Sequence, residues 1–153
     1  MRRQLILNII KEKPGIGFNE ISRLTKLSNG VISHYILQLL KDGEITKSGI
    51  RAKYFQKGIS TKDKELIIIL SNTTNFRIIK IFLEKNIPIK SKDISKMIGK
   101  SVSTVSVSLK KMEKEKIINR TIMNEETKLT SDIGFQISNK ELMKKMISKY
   151  NLN

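Results

Sequence analysis

The feature that most constrains the fold of this chain is an internal repeat. The segment SNGVISHYILQLLKD at residues 28–42 recurs as SVSTVSVSLKKMEKE at residues 101–115, so equivalent positions lie 73 residues apart. The same offset pairs Ile21 with Ile94, and residues 5–45 of the first copy need no gap. A chain of 153 residues could form one domain or two small ones. The repeat favours two domains of the same fold.

Each copy of this segment has the pattern of an amphipathic helix. Its apolar residues recur at helical spacing, as Ile32, Ile36, Leu39 and Leu40 in the first copy and Val105, Leu109 and Met112 in the second. The opposite side contains no acidic residue and carries Gly30, Val31, His34, Gln38 and Lys41, then Ser103, Thr104, Val107, Lys111 and Lys114. A polar, basic face of this kind suits the DNA major groove. The alternative is an ordinary solvated helix face.

The first copy predicts three helices followed by a hairpin. Helices are expected at residues 2–12, 19–25 and 28–42, with Ser28 capping the third and Gly43 ending it. The inner sides of the first two helices should carry Leu5, Ile6, Ile9 and Ile10, then Ile21 and Leu24. Residues 44–55 predict two short strands around a Ser-Gly turn. Three helices and a hairpin, in this order, make a winged helix.

The second copy follows a connector and repeats this order. We expect a packed connector helix at residues 59–72 that begins at Ser60 or Thr61. The helices of the second copy should lie at residues 76–85, 91–98 and 101–115, and its strands at residues 118–123 and 127–130. The predicted hairpin tip, Asn124–Glu126, contains two acidic residues, which phosphate would repel. Lys116 stands where the first copy has Gly43, so the sequence does not determine where this third helix ends.

A last helix is expected at residues 139–150. One side of this helix carries Leu142, Met143, Met146, Ile147 and Tyr150. This seam could pack back on its own domain or form a homodimer contact, and the sequence leaves both alternatives open.

The first copy resembles the archaeal two-winged-helix transcription regulators, relatives of the MarR and ArsR groups. The motifs that carry the resemblance are PGIGFNEISRLTKLSNGVISHYILQLLKDGEI and AKYFQKGI, with Pro14, Gly15, Leu27, Gly30, Ser33, His34, Tyr54, Phe55 and Gly58 at the matching positions. In the second copy, STVSVSLKKMEKEKII resembles the recognition helix of this group, and LTSDIG resembles the segment after its wing. The resemblance implies a DNA-binding regulator.

Composition agrees with a polyanionic partner and limits the other classes. The net charge of +16 is divided into +7 for residues 1–60 and +9 for residues 61–153, so it is not confined to a tail. No cysteine is present, which excludes disulfides and thiolate metal sites. The longest apolar run, residues 66–70, is too short to cross a membrane, and the N-terminus lacks a signal-peptide pattern. We expect a cytoplasmic protein.

The sequence offers no set of residues for catalysis. His34 is the only histidine, and no glycine-rich nucleotide-binding loop occurs. We therefore expect a protein that is not an enzyme and has no cofactor, metal or recognisable small-molecule ligand.

The sequence predicts a mainly α fold with small β-hairpin wings. Its expected parts are a winged helix-turn-helix domain at residues 1–58, the connector helix at 59–72, a second winged helix-turn-helix at 73–137 and the C-terminal helix at 138–153.

The predicted function is a sequence-specific regulator of transcription that binds double-stranded DNA. Recognition helices 28–42 and 101–115 would enter major grooves, with the first wing on phosphate or in the minor groove. The predicted DNA-binding residues are Ser28, Asn29, Gly30, Val31, His34, Gln38, Lys41, Lys47, Arg51, Lys53, Ser101, Ser103, Thr104, Val107, Lys110, Lys111 and Lys114. Alternatives are a protein-interaction scaffold of transcription or chromosome machinery, and a non-specific architectural DNA binder. An RNA-binding module is less favoured because few aromatic residues are placed for base stacking.

The acidic tip of the second hairpin suggests that the two domains contribute unequally. We expect the first domain to supply most of the base contacts, and its wing most of the minor-groove contact. Alanine at Arg51 and Lys53 should then weaken DNA binding more than alanine at Lys128.

Overall fold

The computed structural model describes residues 1–123 and 133–152. The chain divides into two compact units, of which the first contains Met1–Ile68 together with Lys149–Leu152 and the second contains Ile69–Ser148. The mainly α fold with small antiparallel hairpins is confirmed. The domain boundaries predicted from the sequence stay a prediction.

The first unit contains three helices, a three-stranded sheet and the start of a fourth helix. Its elements are α1 Arg2–Glu12, β1 Ile16–Gly17, α2 Phe18–Thr25, α3 Asn29–Lys41, β2 Ile45–Ser48, β3 Lys53–Gln56 and α4 Thr61–Ser71, the last of which continues into the second unit. The predicted helices and hairpin are therefore confirmed. The strand β1 was not predicted; it pairs with β3 and places Ile16 opposite Tyr54.

An aliphatic core holds the three helices of the first unit against the sheet. Its fully buried members are Ile6, Ile10, Ile21, Ile32 and Leu39. Two predicted core residues are wrong, because Leu5 is 43% exposed and Leu24 is 40% exposed. Leu7 is buried in place of Leu5, since the inner side of α1 is rotated from the side we expected.

The sheet of the first unit is covered on both sides. Tyr54 belongs to the three-helix core, and its burial raises the pKa of its phenol. The next residue, Phe55, is fully buried and points to the other side. A Cβ added at Gly15 would lie 3.5 Å from the Phe55 ring and 3.0 Å from Cγ2 of Ile67 in α4. The connector helix thus packs on the back of the first wing. The apolar run had predicted a packed connector without indicating its partner.

The second unit repeats the helical order and ends in a further helix. Its elements are α5 Thr73–Glu84, α6 Ser91–Ile98, α7 Val102–Lys114, β4 Ile118–Ile122, β5 Ile133–Ile137 and α8 Lys140–Lys149. The helices are confirmed, and so is the first strand of the hairpin. The expected second strand at residues 127–130 and the acidic tip lie outside the described residues. In the described part, β4 pairs with β5, so that Ile118 is opposite Ile137 and Ile122 is opposite Ile133.

Backbone conformation follows the repeat even where the residue type does not. Lys26 and its counterpart Gly99 both have positive φ, at 57° and 68°. Gly43 and its counterpart Lys116 do too, at 72° and 60°. These four positions follow the second and third helices of each copy, where a left-handed residue ends the helix. The third helix of the second copy therefore ends in the same way as that of the first copy, although Lys116 takes the place of a glycine.

The end of the chain returns to the first unit. The Tyr150 hydroxyl donates a hydrogen bond to Oδ2 of Asp63 in α4 at 2.6 Å, and Tyr150 is buried. Of the predicted seam, Met143, Met146 and Tyr150 are buried within the single chain, whereas Leu142 is 45% exposed. This burial favours a seam that packs back on its own chain.

The Tyr150–Asp63 contact predicts a loss of stability at alkaline pH. Burial and the Asp63 carboxylate raise the pKa of Tyr150 from 10.0 to about 12. The folded protein thus keeps this phenol neutral at a pH where the unfolded chain ionises it. Its contribution is complete below pH 10 and is lost as the pH rises towards 12.

Tyr150→Phe should remove this pH-dependent contribution to the free energy of unfolding. The free energy of unfolding of the wild type should fall more steeply between pH 10 and 12 than that of Tyr150→Phe. Tyr35→Phe is the matched control, because it removes the hydroxyl of another tyrosine, which is half-buried. Parallel curves for wild type and Tyr150→Phe would contradict the assignment.

In the described ranges, no single helix is long and apolar enough to span a membrane. Only the bent pair α4 and α5, counted together, meets that test, and it does so by length and composition alone.

Candidate nucleic-acid interface

The turn between α2 and α3 is fixed by short polar side chains. The Ser28 hydroxyl accepts a hydrogen bond from the Val31 amide at 3.4 Å, which satisfies one free N–H at the start of α3. The Ser22 hydroxyl lies 3.5 Å from Oδ1 of Asn29 and joins the two helices. Thr25 bonds back to the Ile21 carbonyl at 2.8 Å. The sequence therefore sets the direction in which α3 leaves the turn.

The inner and outer sides of α3 differ in burial as the pattern predicts. Ile32, Ile36 and Leu39 are buried. On the outer side, Gly30, His34, Gln38 and Lys41 are exposed, while Val31 is half-buried. The His34 ring packs edge-on against Tyr35 with centroids 5.0 Å apart, which restricts the imidazole without covering it. These side chains are free to meet a ligand.

The first wing presents basic and apolar groups at its tip. Gly49 has φ +86° in the turn, and Ile50 beside it is fully exposed. Lys47 and Arg51 are exposed, but Lys53 is half-buried. The Lys53 Nζ would lie 3.6 Å from a Cβ added at Gly17, so this side chain lies over β1. Lys47 and Arg51 are thus more accessible than Lys53.

Two exposed apolar residues were missed by the sequence analysis. Leu37 in α3 is 66% exposed, on the same side as His34 and Lys41, and Ile50 is the wing-tip residue. The signal for Leu37 was available, since it lies three residues after His34 and one helical turn before Lys41. Helical spacing had placed Ile32, Ile36, Leu39 and Leu40 on the buried side, and Leu37 had been assigned to neither side.

The start of α7 is held by a small hydroxyl cluster. Oγ of Ser101 accepts from the Thr104 amide at 3.2 Å and lies 3.1 Å from the Ser103 hydroxyl and 2.9 Å from that of Thr104. Ser101, Ser103 and Thr104 are all exposed, as are Lys110, Lys111 and Lys114 further along the helix. Val107, in the middle of this outer side, is 70% exposed.

An ion pair engages a basic residue of the second hairpin. Arg120 in β4 donates from Nε and Nη2 to the two carboxylate oxygens of Glu113 in α7, at 2.6 and 2.8 Å. These hydrogen bonds lower the pKa of Glu113 and raise that of Arg120. The guanidinium also lies 5.8 Å from the centre of the Phe135 ring. Arg120 is therefore directed to its own domain.

A pocket lies beside this ion pair in the second unit. It is lined by Ser91, Ser106, Leu109, Lys110, Glu113, Arg120 and Phe135. Among the described residues, no group of three or more histidine, aspartate or glutamate side chains is placed to hold a metal ion.

Both halves of the chain match families of helix-turn-helix domains. Residues 1–67 match a family described as an N-terminal HTH domain. Residues 71–119 match a family described as winged helix-turn-helix DNA-binding. No curated protein matches the sequence of the chain.

Three solved structures share a distant similarity with the chain. One is the homodimeric winged helix-turn-helix DNA-binding domain (fragment 1–100) of Mb0332 from Mycobacterium bovis, a possible ArsR-family transcriptional regulator, with 12% identity, 61% of this chain and 86% of that chain covered, and a TM-score of 0.43. The second is the DIP2311 protein from Corynebacterium diphtheriae, which is 11% identical. The match covers 89% of this chain and 26% of that chain, with a TM-score of 0.33. The third is ScpB from Mycobacterium tuberculosis, with 10% identity, 99% and 96% covered and a TM-score of 0.35.

The family assignment rests on the two matched domain families and on the order of elements in each unit. Helix, helix, recognition helix and hairpin occur in both units, and a family of DNA-binding domains covers most of the second copy. The chain therefore contains two helix-turn-helix domains in tandem, the second of which matches a family of winged helix-turn-helix DNA-binding domains.

Proposed function

We propose that the protein regulates transcription by binding specific sequences of double-stranded DNA. In this proposal α3 and α7 each enter a major groove, while the first wing contacts phosphate or the adjacent minor groove. The observation that carries it is the exposure of both outer helix faces, which contain no acidic residue and offer Lys41 in α3 and Lys111 and Lys114 in α7. Base edges need donors, acceptors and methyl contacts, and phosphates need cations, so these faces suit both.

The proposed DNA contacts are those predicted from the sequence. In α3 and at its start they are Ser28, Asn29, Gly30, Val31, His34, Gln38 and Lys41; in the first wing Lys47, Arg51 and Lys53; in α7 and at its start Ser101, Ser103, Thr104, Val107, Lys110, Lys111 and Lys114. Of these, Val31 and Lys53 are half-buried and the others are exposed. Ser28 and Ser101 also cap their own helices, so their substitution would affect stability as well.

The two domains contribute unequally in this proposal. The first wing has exposed Lys47 and Arg51 beside its turn, whereas Arg120 of the second hairpin is engaged by Glu113. This difference supports an assignment of most wing contacts to the first domain. We also propose the domain division at residues 1–58, 59–72, 73–137 and 138–153. The homodimer predicted through the C-terminal helix stays a prediction, and Leu142 is the exposed seam residue that it could use.

Substitution of His34 and Gln38 tests base recognition by α3. The double variant His34→Ala/Gln38→Ala should lower affinity for the preferred DNA sequence by about 10–100-fold, because a good base contact contributes about 1–3 kcal/mol of discrimination. Its affinity for unrelated DNA should stay within about twofold, since no charge is removed. Fluorescence anisotropy with both DNAs at a single salt concentration measures the two effects.

The matched control is Gln4→Ala/Asn8→Ala. These two exposed side chains of α1 bond to each other at 2.8 Å, so the control removes polar groups of similar size from another helix. Equal losses on preferred and unrelated DNA for the His34/Gln38 variant would refute base recognition by α3.

A further inference from the structure

The outer side of α7 is more apolar than that of α3 at the equivalent position. Val107 takes the place that His34 has in the first copy, and it is 70% exposed. Val102, at the start of the same helix, is 47% exposed. An aliphatic side chain held in water at the centre of a recognition helix has no role in the core. Its exposure makes it available to a partner surface.

Two hydroxyls that precede Val107 are already engaged within the helix. The hydroxyls of Ser103 and Thr104 both lie within hydrogen-bond distance of Oγ of Ser101, which also accepts from the Thr104 amide. A hydroxyl with a partner in its own helix contributes less to the discrimination of bases by hydrogen bonds. The methyl groups of Val107 and Thr104 thus make up much of the surface that the first turns of α7 present to a ligand.

Charge identifies which partner this apolar patch fits. Lys110, Lys111 and Lys114 are exposed on the following turns of α7, and no acidic residue stands among the predicted contacts of this helix. A hydrophobic protein surface offers no anions to pair with these three lysines, whereas DNA offers phosphates along both edges of the groove. In the major groove the apolar group available to an aliphatic side chain is the 5-methyl of thymine.

We propose that Val107, together with Thr104, reads thymine through its 5-methyl group. The half-site bound by α7 then contains A·T pairs recognised mainly by methyl contact, while the half-site bound by α3 is recognised by the polar groups of His34 and Gln38. The proposal rests on the proposed function, because it requires α7 to lie in a major groove. It predicts two unlike half-sites within one operator.

Replacing thymine by deoxyuridine tests this contact, since it removes only the methyl group. In the preferred sequence, uracil at the contacted positions of the α7 half-site should weaken binding of the full-length protein about fourfold for each methyl group removed. Val107→Ala should lower affinity for thymine DNA by a similar factor. Its discrimination between thymine and uracil DNA should be smaller than that of the wild type but not zero, because Thr104 remains. Val107 is exposed, so this variant should fold normally.

Two further variants make the result specific. Val107→Thr keeps one methyl group and should retain part of the discrimination, and His34→Ala should leave the uracil effect in the α7 half-site unchanged. If the wild type binds the preferred sequence specifically but tolerates uracil at every position of that half-site, the methyl contact is refuted and the proposed function stands. If no DNA sequence is preferred at all, both are overturned.

Discussion

Replacing Arg51 and Lys53 together by alanine should lower the affinity for DNA by about 10–100-fold at physiological salt. Arg51 is exposed beside the turn of the first wing, and Lys53 follows it on β3. Each cation that neutralises a phosphate releases counterions, so its removal weakens binding and reduces the dependence on salt. The slope of log affinity against log salt should therefore become shallower by about 1 for each phosphate that the variant no longer neutralises.

A control of equal charge separates this effect of the wing from the general effect of net charge. Lys57→Ala/Lys62→Ala also removes two cations, but Lys57 pairs with Glu44 at 3.5 Å and Lys62 lies on α4 outside the wing. Alanine at Lys128, which lies outside the described residues, is the corresponding change in the second hairpin. A decrease in affinity in either of these variants as large as that in Arg51→Ala/Lys53→Ala would refute the special role of the first wing.

Phe55→Ala should destabilise the first unit by about 3–5 kcal/mol. Phe55 is fully buried between the sheet and α4, next to Gly15 and Ile67. Alanine leaves a cavity there, and the left-handed Gly15, at φ +84°, offers no side chain to fill it. Since a small domain is stabilised by only about 5–15 kcal/mol, this decrease would bring the first unit close to unfolding.

Urea unfolding, monitored through the amide NMR signals of residues in each unit, measures the stability of the two units separately. Phe55→Leu, which keeps most of the volume, should cost less than about 1.5 kcal/mol. A decrease in stability below about 1 kcal/mol for Phe55→Ala would contradict the packing of the connector helix on the wing.

The elements that the sequence predicted correctly are those with a strong local signal. The helices of both copies follow from apolar spacing and from caps such as Ser28 and Ser101, whose hydroxyls accept from the amides three residues later. The first hairpin follows from alternation around Ser48–Gly49. These signals depend on neighbouring residues, so a single sequence contains them.

The elements that it missed depend on partners far along the chain. The strand β1 has two residues, and it exists because Ile16 and Gly17 pair with Tyr54 and Lys53. In the same way, β5 is defined by its pairing with β4, whereas the residues alone suggested a segment between wing and helix. Leu5 and Leu24 were predicted to lie on the inner sides of their helices, but a helix of few turns can rotate to bury a neighbour such as Leu7 instead.

The candidate interface was predictable in outline but not in detail. Periodicity alone separated the buried from the exposed side of α3, and charge indicated a polyanion. The sequence did not show that Ser101, Ser103 and Thr104 bond to one another. It also did not show that Arg120 pairs with Glu113 or that Lys53 lies over Gly17. Those contacts decide which side chains remain available to DNA.

Selection from a random pool of double-stranded DNA, at several salt concentrations, tests the central claim most directly. The account predicts that the full chain enriches one motif that survives at physiological salt and contains two unlike half-sites, one of them rich in A·T pairs. The separation of the half-sites would report the spacing of α3 and α7 in the bound state. Binding that falls steeply with salt and enriches no sequence would mean phosphate contacts alone, and would contradict sequence-specific recognition.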